Sequence, residues 1–106
     1  MDQSPSRRLK LQTVLEEALG SQNVYYQPPA DAHMEYPCLV YELDSGSSQR
    51  AADNGTYTWS PRYQVTFIHR EPDDSVIEKL ASFPLSSFSR HFATSGLNHD
   101  VFVIYH

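Results

Sequence analysis

Histidine is the residue of greatest chemical reach in this chain, because imidazole ligates metals and moves protons near neutral pH. There are five. His91 and His99 flank the last turn, and Asp100 follows directly. Strands joined by that turn would bring the three near one another, as a small metal-using or ligand-binding α+β domain requires. The usual metal-site spacings are absent: no HExxH, no CxxC and no histidine pair four apart on a helix. The commoner meaning of such neighbours is structural, so neither a metal nor another cofactor is expected.

The remaining reactive types read the same way. Asp73 and Asp74 precede Ser75 and an apolar stretch, which suits helix capping better than acid–base work. Cys38, the lone cysteine, follows Pro37 in an apolar run and reads as a small buried hydrophobe. It has no partner for an internal disulfide and no companion pattern for a nucleophile. The four glycines stand singly at turn or loop positions, so no phosphate-cradling loop exists. No catalytic residues are expected, and the chain reads as a non-enzyme.

A different constellation suits contact with other proteins. Residues 44–56 (DSGSSQRAADNGT) form a polar stretch between two strand signals. That is too long for a tight hairpin and suits a contact loop. Arg50 and Asp53 lie inside it, Tyr57 and Trp59 at its exit, and Arg62 just beyond. Aromatic and arginine side chains anchor protein interfaces, so these five are the candidate subunit-interface residues. The competing reading of Trp59 is a plug at one end of the core.

Composition narrows the class. A chain of 106 residues, 40% apolar and 12% aromatic, is one domain with a single core. The net charge of −5 disfavours general nucleic-acid binding, which needs a basic patch. No apolar run can span a membrane, and no hydrophobic leader precedes the first helix. A reducing, cytoplasmic-type origin is the expectation.

The elements must position these residues. Residues 1–5 read as a loose arm. Residues 6–19 form a helix with Leu11, Val14, Leu15, Ala18 and Leu19 on one face, ended by Gly20. Arg7 and Arg8 in its first turn oppose the helix dipole, which hints at an outside partner, although solvated charges are the commoner reading. Strands are expected at 24–26, 38–43, 57–69 (broken at Pro61), 86–93 and 100–105, with a turn at 94–96. Tyr63, Val65, Phe67 and His69 form the core face of the third. A second helix follows residue 74, with Val76, Ile77, Leu80 and Phe83 inward, and stops before Pro84. The fold class is α+β: one mostly antiparallel sheet of about five strands packed against two helices, in the order α-β-β-β-α-β-β.

YPCLVYEL at 36–43, ADNGTY at 52–57, RYQVTFIHREPDD at 62–74 and LNHDVFVIY at 97–105 resemble the tail-terminator, or tail-completion, neck proteins of long-tailed bacteriophages, also known as minor capsid proteins. The resemblance spans roughly the last two thirds of the chain. It implies a virion protein of the tail and neck, assembled in the bacterial host cytoplasm. It implies a hexameric ring of identical subunits that caps the tail tube and joins it to the head–tail connector proteins. DNA would pass through the lumen without specific binding, and no membrane is involved. A head-side joining protein is the neighbouring possibility, and a small cytoplasmic enzyme or ligand-binding domain using His91, His99 and Asp100 is the alternative class.

Overall fold

The computed structural model describes residues 4–50, 57–71 and 74–106, with side chains at 4–7, 45–50, 57–60 and 74 left aside. Its elements are α1 (Ser4–Leu19), β1 (Val24–Tyr26), β2 (Cys38–Arg50), β3 (Tyr57–His69), α2 (Asp74–Ala81), β4 (Ser86–Thr94) and β5 (Leu97–Tyr105). The expected order and the α+β class are both present. The five strands form one sheet ordered β1-β2-β3-β5-β4. β1 runs parallel to β2, and the other neighbours are antiparallel.

Apolar periodicity explains how the layers pack. Leu11, Leu15 and Ala18 on α1 and Val76 and Leu80 on α2 are buried against one sheet face. That face carries Leu39, Tyr41, Tyr63, Val65, Phe67, Phe102 and Ile104. Among the described residues, no helix packs on the other face. Cys38, Ile68 and Val101 are buried there even so, beside half-buried Val40, Thr66 and Val103.

Polar contacts fix how α1 docks. The Tyr41 hydroxyl donates to Gln12 Oε1 at 2.5 Å, and Gln12 Nε2 donates to the Val24 carbonyl at 3.0 Å. Arg8 donates to the Tyr41 hydroxyl at 3.4 Å and lies 4.7 Å from the Tyr26 ring centroid. Neither an outside partner nor a solvated arm describes Arg8: this guanidinium is used within the domain. Burial pushes the Tyr41 phenol upward from its ordinary pKa, and the Arg8 hydrogen bond and charge offset part of that.

Several expected boundaries move. α1 starts at Ser4, not after a loose arm of five residues, and Pro5 fits its first turn because the missing N–H has no helical acceptor there. Pro61 does not break β3. The His106 N–H donates to the Pro61 carbonyl at 3.2 Å. A strand residue's N–H and C=O point the same way, so the proline's missing donor faces the β5 side and leaves the β2–β3 pairing intact. The last turn contains Ser95 and Gly96, at φ 55° and 75°, with Thr94 paired to Leu97. Two residues at positive φ make the tight hairpin whose twist matches its strands.

The largest correction concerns residues 44–56. β2 continues through Arg50, and Ser45 to Arg50 pair with Arg62 to Tyr57, after a register shift between Leu43 and Ser45. Pairing uses backbone donors and acceptors, so polar side chains do not prevent it. What remains of the expected loop, residues 51–56, lies outside the described residues, and Asp53 with it.

Candidate functional site

Two places in this fold combine unusual geometry with reactive or contact-prone residues. The first lies where β3, β5 and β4 run side by side. Register places Asp100 opposite Phe67 on one side and His91 on the other, all on the helix-bearing face. The Asp100 carboxylate is buried, with a 7% exposed side chain, and bridges two imidazoles. Its Oδ2 lies 2.7 Å from His69 Nε2, and its Oδ1 lies 2.6 Å from His91 Nδ1. The other ring nitrogen of His69, Nδ1, lies 2.8 Å from the Glu71 carbonyl oxygen. The His69 ring stacks on Phe67 with centroids 4.3 Å apart. His91 sits on the edge strand with about half its side chain exposed.

The geometry corrects the expected grouping of His91, His99 and Asp100. His91 and Asp100 do meet. His99 points to the opposite sheet face and stacks on Phe92 at 4.6 Å. Successive strand residues alternate faces, so His99 and its neighbour Asp100 cannot share one. His69 takes the expected place of His99. Its position at the end of the apolar series Tyr63, Val65, Phe67 was the available signal, since a histidine on a core face needs a buried partner. Among the described residues no group of three or more His, Cys, Asp or Glu is arranged to hold a metal ion. The carboxylate stands between the imidazoles, so the three point at each other and not at a shared centre.

The second place is the far end of the β2–β3 hairpin. β5 pairs with β3 as far as Arg62↔Tyr105, whereas β2 and β3 continue pairing to Arg50↔Tyr57. Beyond Arg62 the sheet narrows to a two-stranded ribbon. Arg50, Tyr57 and Trp59 lie on its backbone. Arg62 stands at its root, with Nε 3.4 Å from Asp44 Oδ2. That is ion-pair distance without hydrogen-bond alignment, although the Nε atom itself is shielded from water. Both side chains are over a third exposed, so the pair adds little stability. Of the five expected interface residues, four therefore lie along one projecting ribbon or at its root.

A shallow polar concavity lined by His33, Met34, Tyr36 and Arg70 lies elsewhere. His33 pairs with Glu35 at 2.6 Å, and Arg70 lies 5.6 Å from the Tyr36 ring centroid. Its charged groups already have partners, so it is a weaker candidate than the other two.

Fold and geometry define an α+β protein with helices on one face of a mixed sheet, a histidine-bridging carboxylate and a projecting ribbon. No protein-family model matches the chain, and no curated protein matches it.

Proposed function

We propose that this protein is a structural subunit of a bacteriophage neck, similar to tail terminators, that closes into a homo-oligomeric ring, six-fold by that resemblance. The ring caps the tail tube and joins it to the head connector. The observation that carries the reading is the ribbon formed by Ser45↔Arg62 through Arg50↔Tyr57, which continues past the end of β5. The five rows beyond Arg62, from Gly46↔Pro61 to Arg50↔Tyr57, extend about 17 Å at strand rise. A two-stranded ribbon is marginal alone in water and gains stability by packing on another surface. On a ring subunit that surface belongs to the neighbour, and such a head-to-tail contact closes when its rotation divides a full turn.

Charge agrees with this reading. A net charge of −5 suits a lumen through which DNA passes without sticking, since adhesion to the phosphate backbone needs clustered cations. The chain acts without chemistry of its own. The rival enzyme or ligand-binding reading loses His99 from its residue set but keeps His91 on Asp100.

The deciding experiment is native mass spectrometry of the purified chain, followed by electron microscopy of particles assembled with and without it. The proposal expects a ring mass, alone or after addition of tail tubes, and density for the ring at the neck. Monomers throughout, with no density there, would sink it.

A further inference from the structure

The chain of contacts through Asp100 needs one more proton than its groups ordinarily carry together. Three contacts of hydrogen-bond length are present: His69 Nδ1 to the Glu71 carbonyl oxygen at 2.8 Å, His69 Nε2 to Asp100 Oδ2 at 2.7 Å, and His91 Nδ1 to Asp100 Oδ1 at 2.6 Å. A carbonyl oxygen only accepts, so His69 Nδ1 must carry hydrogen. Each of the other two contacts also needs a proton between its atoms. An ionised carboxylate with two neutral imidazoles supplies two protons for three contacts. Without the third, one contact would set two lone pairs against each other.

We propose that the His69–Asp100–His91 chain is a proton clasp: in the folded protein at neutral pH it holds this third proton, and the proton ties the adjoining ends of β3, β5 and β4 to the turn at Glu71. The charge distribution within His69–Asp100 is one coupled state, and the proton count does not depend on it. Burial favours retention, because Asp100 and His69 are 5% and 4% exposed and an unpaired polar contact there has no water to relieve it. The Phe67 ring stacked on His69 adds an apolar wall.

Among the described residues the charged neighbours are few. β5 contributes Asp100 and β4 contributes His91. Following β3, Arg70 is exposed and lies over the Tyr36 ring, and Glu71 enters through its backbone carbonyl. On α2, Glu78 and Lys79 are exposed. Among the described residues, no ion pair joins Arg70, Glu78 or Lys79 to the clasp. His91 is the clasp's outlet, being half exposed on the edge strand.

The test uses the full chain labelled with nitrogen-15 at histidine. Long-range proton–nitrogen spectra at neutral pH should show hydrogen on His69 Nδ1 and a second, strongly downfield proton bridging Nε2 and Asp100. A single proton on His69, with none in the Asp100 contact, would overturn the proposal.

Discussion

At the residue scale, Cys38 shows how position decides reactivity. It is the first residue of β2, lies on the helix-free face and is fully buried. Burial pushes its thiol pKa from 9.0 to about 11. A thiol, unlike a thiolate, is a poor nucleophile, so at neutral pH the native protein should react with iodoacetamide no faster than it unfolds. The same shift predicts an alkaline weakness. Below pH 9.0 the thiol is neutral in both states and its contribution is complete. Between 9.0 and about 11 the unfolded chain ionises first, and stability is lost as pH rises through that window. Two units correspond to about 2–3 kcal/mol. Urea midpoints at both ends of the window should drop more steeply for wild type than for Cys38→Ala.

At the element scale, α1 is held by an apolar stripe and by one polar hinge. Leu15 is fully buried at the middle of the stripe. Leu15→Asp places a carboxylate there, and a loss of about 3–5 kcal/mol is expected in chemical denaturation. Tyr41→Phe is the finer probe. It keeps the ring contacts to Tyr26 and Tyr63 but removes the hydroxyl that donates to Gln12 and receives Arg8. Leaving those groups short of a partner should cost about 1–2 kcal/mol, read as a lowered melting temperature. If the phenylalanine variant melts with the wild type, the hinge contributes packing alone.

At the scale of the whole molecule, the body and the ribbon are separable. The core cluster lies between the two helices and the body of the sheet, while the ribbon rows from Gly46↔Pro61 outward lie past the last β5 rung. Removing residues 47–60 and joining Gly46 to Pro61 through Asn-Gly would shorten the hairpin at a paired row. The shortened protein should keep its melting temperature within a few degrees and fail to form rings, as native mass reads directly. Trp59→Ala and Arg50→Ala should act in the same direction at full length. A fall in melting temperature for Trp59→Ala as large as that for Leu15→Asp would make Trp59 a support of the fold.

The sequence by itself determined what local periodicity can encode. The 3.6-residue spacing from Leu11 to Ala18 marked the buried face of α1. The alternation from Tyr63 to His69 marked the core face of β3, and all four of those residues are buried. Element order and class followed, because each helix and strand must bury one such face. Grouping His99 with Asp100 on sequence misses their separation, which follows from the alternation of adjacent strand residues once β5 is seen to include both. Tertiary structure alone decided the rest. Which histidine meets Asp100 depends on the register of β3 against β5, a pairing between residues 31 apart in sequence that no local pattern specifies. The length of the β2–β3 hairpin was hidden for a related reason. Serine, glycine and glutamine there resemble a loop by composition, yet strand pairing joins backbone to backbone, and the pairing already set at Leu39↔Phe67 carries the ladder outward through polar residues.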